Sequence, residues 1–226
     1  MQELMPLKTK DAPIKPTAHQ QVYEVLRAQI LFGDLAPGQA VTIQGLIATL
    51  DAGMTPVREG LRRLVSEGAL LQQDNRRISV PVLSPECVDE LGFIRKTLEP
   101  ELARRASQRM TIERSANLRR IDDALNDAIR QGDVGNYLTQ NYLFHAEIYR
   151  LAEAPIMAAT VDRLWLRFGP SLRVVCGRFG TQNLPDKHVD MLTAFEADDP
   201  SAAAQAMAED VDQGMKQIAA ALSSSD

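Results

Sequence analysis

From residue 17 onward the apolar positions fall at helical spacing. Val22, Val25, Leu26 and Ile30 form one stripe and predict a helix over 18–32. Thr17, with Gln20 three residues on, fits a capping box at its start. Gly33 ends that helix, and "GDLAPGQAV" carries the Gly and Pro of a turn. "IQGLIATL" predicts a short helix over 43–50, followed by the turn "DAG". A third helix begins at "TPVREGLRRLVSEG", with Thr55 as N-cap and Pro56 at the first helical position, where its missing N–H costs nothing. The pattern then changes. "ALLQQ" and "ISVPV" read as two short strands around the polar tip "DNRR", which makes a hairpin. Helix, helix–turn–helix and hairpin, in that order, is the plan of a winged helix-turn-helix.

"VPVLSPE" (80–86), with two prolines, marks a boundary, and beyond it the period stays helical. Six helices are expected, at about 86–109, 111–131, 133–153, 155–178, 184–197 and 200–222, with no convincing strand and no internal repeat. The expected fold is therefore mainly α. A flexible leader covers 1–16, a winged helix-turn-helix module 17–82, and an all-helical bundle 83–226.

The composition suits this reading: of 226 residues, 45% are hydrophobic and only 5% aromatic, as in helix-rich proteins. No apolar run approaches the roughly 20 residues of a membrane span, and the N-terminus has no signal-peptide core. Cys87 and Cys176 lie far apart and form no CxxC motif, so a reduced, cytoplasmic protein is expected. The net charge of −5 argues at first against a nucleic-acid partner. Dividing the chain changes that picture: residues 1–82 carry nine Lys/Arg against eight Asp/Glu, and residues 83–226 carry sixteen against twenty-two. The acidity belongs to the bundle, which leaves the N-terminal module free to present a basic face.

In a winged helix-turn-helix the second helix of the pair enters the major groove by its N-terminal end. Here that end offers Thr55 and Arg58, with Arg62 and Arg63 one turn on, and the wing tip offers Asn75, Arg76 and Arg77. Each arginine taken singly also fits a solvated helix face. Helix start and wing tip together favour double-stranded DNA.

In the bundle, polar residues interrupt the apolar stripes. Arg95 falls among Val88, Leu91, Leu98 and Leu102. Asn141 and His145 fall among Val134, Leu138, Ile148 and Ala152, while His188 sits with Leu184, Met191 and Phe195. Asp210 aligns with Ala203, Met207 and Gly214. A lone buried charge is expensive, so such groups are expected to be paired or to hold a ligand. Asn141 and His145 are four apart on one helix face, the spacing of a chelating pair. Imidazoles with oxygen donors suit zinc, nickel or manganese better than calcium or magnesium. Arg95 is expected to grip an effector carboxylate bidentately, or else to pair internally with Glu99 or Asp210. A hydrogen-bonded core histidine is the alternative for His145, and His19 is expected on an exposed face.

"AQILFGDLAPGQAV", "TPVREGLRRLVSEGALL" and "NRRISV" resemble the GntR family of bacterial transcription regulators over roughly residues 20–82. The resemblance implies Arg58 and Thr55 as the main DNA contacts, with Asn75 and Arg76 on the wing. Met54 stands where the family usually has Arg, Gly53 where it has Ser, and Arg77 where it has the wing Gly, so a shifted operator preference is expected. "IRKTLEPELARRA", "NYLFHAEIYRLAEAP" and "KHVDMLTAFEADDPSAAAQAMAEDV" resemble the FCD ligand-binding domain of the FadR-type branch, and six helices suit its VanR-like variant. That resemblance implies a divalent metal at the positions of Asn141, His145, His188 and Asp210. Asn141 replaces the usual Asp and Asp210 the usual His, which keeps one carboxylate in the set.

The chain therefore reads as a DNA-binding transcriptional regulator, expected to be a repressor and not an enzyme. It would bind a pseudo-palindromic operator as a homodimer, be controlled by a small carboxylate effector held near a divalent metal, and need no membrane. Bound to DNA, it would sit on the bacterial nucleoid. Two rivals remain. One is a metal-free regulator taking an acyl or aromatic effector directly, and the other is a metal-dependent hydrolase in which two His and an Asp activate water.

Overall fold

The computed structural model describes residues 17–73, 77–179 and 186–223. The leader 1–16, the wing-tip residues Asn75 and Arg76, and Leu184 lie outside these described residues. The element order is α1 (Ala18–Leu31), β1 (Ala40–Val41), α2 (Ile43–Leu50), α3 (Met54–Ser66), β2 (Leu71–Gln72) and β3 (Ile78–Ser79), then α4 (Pro85–Ser107), α5 (Ile112–Gln131), α6 (Val134–Leu151), α7 (Pro155–Phe179), α8 (Lys187–Glu196) and α9 (Pro200–Ser223). The fold is mainly α, a winged helix-turn-helix followed by a helical bundle.

In the N-terminal module, α1 lays Val22, Tyr23, Leu26 and Ile30 against Val57, Leu61 and Leu64 of α3. Thr17 starts α1, and its N–H donates to Gln20 Oε1 at 2.9 Å, the return half of the capping box. Two sequence expectations need correction here. Gly53, not Thr55, is the N-cap of α3, in extended geometry (φ −67°, ψ 161°), and Met54 is the first helical residue. Pro56 still lies in the first turn, where backbone N–H groups have no helical acceptor, so the ring is tolerated one step later than expected. The segment "GDLAPGQAV" is more than a turn, because Ala40–Val41 pairs antiparallel with β3 in a three-stranded sheet of order β1-β3-β2. The expected hairpin is present, with Leu71 opposite Ser79 and Gln72 opposite Ile78.

The bundle helices start where their sequences offer caps. Ser84, Thr111, Asp133 and Asp186 accept from backbone N–H groups three residues on, at 3.0–3.3 Å. The helix expected at 184–197 begins only at Lys187, where Asp186 caps it. α4 packs along α9, α5 against α6, and α8 against α9, while α7 closes the bundle and also touches α1.

Candidate functional site: a buried polar network and an exposed basic helix face

The inward stripes bring together the polar residues expected inside. His145 is 1% exposed and His188 6%, each carried on an otherwise apolar helix face. Asp210 of α9 stands between them: His145 Nε2 lies 3.2 Å from Asp210 Oδ2, and His188 Nε2 lies 3.9 Å from Oδ1. One donor atom from each of the three residues falls within 4.8 Å of the others. Next to these three residues, Lys187 of α8 bridges to Glu209 of α9 at 2.7 Å, which ties the two helices at the site.

The outer ring nitrogens are held from behind. His188 Nδ1 is 3.1 Å from Asp122 Oδ1, and Asp122 is itself buried on α5. His145 Nδ1 meets Tyr149 Oη at 3.4 Å, and that hydroxyl donates to Glu99 Oε2 at 2.7 Å. Trp165 Nε1 donates to the same hydroxyl at 3.2 Å. Phe144 stacks on His188 with ring centroids 4.0 Å apart. Paired outer nitrogens fix tautomer and ring orientation, an arrangement typical around metal-ligating imidazoles.

Arg95 is buried, but it is not a free cation. Its Nε donates to Glu99 Oε1 at 2.5 Å and its Nη2 to Glu99 Oε2 at 3.2 Å. The internal pair weighed in the sequence is thus formed, with Glu99 as partner. The guanidinium lies over Phe168 at 4.1 Å, and Nη1 meets only the Met215 sulfur, at 3.6 Å, among the described residues.

Arg95 pairs with Glu99, while Asp122 and Asp210 face the imidazoles. His188 responds to those carboxylates. Burial opposes a charged His188, yet the Asp122 hydrogen bond and the charges of Asp210 and Asp122 raise its pKa above the ordinary value. Burial likewise opposes ionisation of Asp210, but the His145 hydrogen bond and nearby positive charge hold its pKa down at about 2. Two imidazoles converging on a carboxylate fit a borderline divalent cation. His145, His188 and Asp210 would hold it.

A cavity of about 50 Å³ adjoins His145 and Asp210. Arg95, Asn141, Gln213 and Gln217 line it with polar atoms, and Tyr137, Trp165 and Phe168 form apolar wall. Asn141 is half-buried there, on the cavity side of His145.

On α3, Thr55, Arg58 and Arg62 are exposed, opposite the buried face of Val57, Gly60, Leu61 and Leu64. Arg63 departs from the expectation that groups it with Arg62. It stacks 3.6 Å over the Tyr23 ring and bonds Glu67 at 3.0 Å, so it serves the module's own packing. His19 is exposed, as expected, beside Thr17 Oγ1.

Sequence reasoning missed Asp122, Tyr149 and Trp165. Asp122 had the same signal as His145, since Leu118, Asp122 and Leu125 follow one another at steps of four and three. Its neighbour Asp123 disguises it as part of a solvated acidic face.

Comparison with known proteins gives both halves of the chain a match. Residues 90–213 match the FCD domain, and residues 18–80 match the bacterial regulatory proteins of the gntR family. The chain is 30% identical over 199 residues to the HTH-type transcriptional regulator McbR of Escherichia coli K12, covering 86% of this chain and 90% of McbR. It is 24% identical to the HTH-type transcriptional repressor RspR of the same strain, over 95% of each chain. The solved structure of E. coli McbR/YncC superposes with a TM-score of 0.84 at 28% identity, covering 90% of this chain and 98% of that one.

Proposed function

Since the chain belongs to the gntR family of bacterial regulatory proteins and carries an FCD domain, we propose that it is a metal-dependent, effector-controlled repressor. In this reading it binds operator DNA as a homodimer, one winged module per half-site. Thr55, Arg58 and Arg62 of α3 enter the major groove, with Asn75 and Arg76 of the wing tip beside them. The repressor role draws support from RspR, a relative named as a repressor that aligns along nearly the whole chain.

The observation that carries the effector reading is the convergence of two buried imidazoles on the Asp210 carboxylate. A divalent metal there would be a Lewis-acidic anchor for an oxygen of a small carboxylate. The chain's own residues supply the rest. His145, His188 and Asp210 hold the cation, Asn141 adds a weak side-chain oxygen, and Asp122 and Tyr149 orient the imidazoles. Arg95 lines the same cavity, while Glu99 keeps the guanidinium in place.

Cavity size favours this reading over a metal-free one. Acyl or aromatic effectors need pockets of roughly 300 Å³ and more, whereas about 50 Å³ adjoins this site. A carboxylate of few atoms fits that space. Metal content of protein purified without a His-tag tests the proposal directly, against a His145→Ala, His188→Ala double variant. Wild type is expected to retain a divalent metal that the double variant lacks, and added zinc, nickel or manganese is expected to raise its melting temperature alone. Equal metal content together with unmoved melting would return His145 and His188 to the role of core residues.

A further inference from the structure

We propose that Met54 reads a base: its thioether packs against the C5-methyl of a thymine in each operator half-site. This rests on the DNA-binding reading above and names a specificity determinant within it.

Met54 is the first residue of α3 and is 51% exposed, one of the large apolar side chains that the chain leaves uncovered. A single exposed methionine is unremarkable on most surfaces. This one heads the row Met54, Arg58, Arg62, spaced four apart and therefore on one helix face. The row is exposed throughout, and the opposite face, Val57, Leu61 and Leu64, is spent on the core. Gly53 in front of it has no side chain to screen the helix tip, and the first turn carries no acidic residue. The tip can thus approach a polyanion closely.

The partner's chemistry follows from the row. Two guanidiniums behind the thioether select a negatively charged surface, and the leading end of such a helix reaches the base edges. A thioether has no hydrogen to donate to guanine O6 or N7 and is at best a weak acceptor for an amino group. The one apolar feature on the major-groove edges is the thymine methyl. An unbranched, polarizable side chain adapts readily to such a contact.

The test uses the full-length protein and an operator obtained by in-vitro selection on wild type. Each thymine of a half-site is replaced singly by deoxyuridine, which keeps base pairing and removes only the methyl. Wild type is expected to lose about fourfold in affinity at one thymine position per half-site, the worth of one buried methyl-sized group. Met54→Ala is expected to bind thymine and deoxyuridine there equally, and Met54→Arg to shift selection at that position toward guanine. Thermal melts check that both variants are folded. If deoxyuridine is harmless at every position, or equally harmful in wild type and Met54→Ala, Met54 is not a reader. If selection enriches no sequence over that obtained with Arg58→Ala, the DNA reading falls and takes this inference with it.

Discussion

At His188 burial and electrostatics pull in opposite directions, and the carboxylates win, so the folded-state pKa is raised. The sign of the consequence is fixed. A raised imidazole contributes stability to the apoprotein that is fully present below its ordinary pKa and is lost as pH rises through the folded value. A metal must displace that proton, so metal affinity is expected to climb with pH across the same range. Asp122→Ala removes the acceptor behind Nδ1 and is expected to weaken metal binding by about 10–100-fold. Competition against a chromophoric chelator at several pH values measures both effects, and unchanged affinity in the variant would show that Asp122 does not orient the ligand. Arg95 makes a different case. Glu99 is fully buried and receives both Arg95 and Tyr149, so Arg95→Met strands a carboxylate and is expected to destabilise by about 3–5 kcal/mol. The double variant Arg95→Met, Glu99→Leu is expected to be markedly more stable than that single variant in urea denaturation. A double variant no more stable than the single one would show that the pair's worth lies in packing and not in charge compensation.

At the level of elements, helix extents and inward faces were legible because both are local properties. Asp133 announces a helix start, and the three-four spacing through Leu138, Asn141, His145 and Ile148 names the buried face. Arg95, His188 and Asp210 were legible for the same reason. What escaped depends on partners distant in sequence. β1 is two residues long and exists because β3 pairs with it, a choice that propensity does not encode. Asp122 resembles a surface acid until α6 and α8 pack against α5. The crossing of α1 and α7 was invisible too. At Gly169, ahead of Pro170 within α7, an added Cβ would sit 2.4 Å from Leu31 O. Only glycine lets the two helices approach so closely. Gly169→Ala is therefore expected to force α1 off α7 and destabilise the protein by about 1–3 kcal/mol, read as a lowered melting temperature. A variant as stable as wild type would mean that the crossing yields without strain.

Across the whole molecule, two of the helices that line the cavity beside His145, α6 and α7, also hold the winged module. α6 carries His145 and Asn141 on its cavity side, and its Tyr142 reaches toward α1. α7 lends Trp165 and Phe168 to the cavity and Asp162 to the joint. There Arg27 of α1 donates to both Asp162 oxygens at 2.7 and 2.8 Å and to Tyr142 Oη at 3.1 Å, while Tyr142 donates to Asp162 at 2.5 Å. The Phe32 ring, just past α1, meets the Tyr142 ring edge-on at 6.1 Å, and Tyr142 in turn meets Trp165 at 5.5 Å. Trp165 lies 5.3 Å from the His145 ring, so an unbroken chain of contacts joins the metal-ligand candidates to α1. A contact chain alone does not establish coupling; a bias on operator affinity that depends on the joint does. Coupling between sites is commonly worth about 1–3 kcal/mol, or about 5–150-fold in affinity. Arg27→Met cuts the joint while leaving cavity and reading helix untouched. Its Asp162 partner is more than a third exposed, so water can take over much of the lost bond. The variant is expected to fold and to bind operator, but its affinity ratio between zinc-loaded and chelator-treated protein is expected to fall toward one. Operator titrations on both forms of wild type and variant measure that ratio. If Arg27→Met keeps the wild-type ratio, the signal crosses elsewhere, and the close approach of Leu31 to Gly169 becomes the place to cut next.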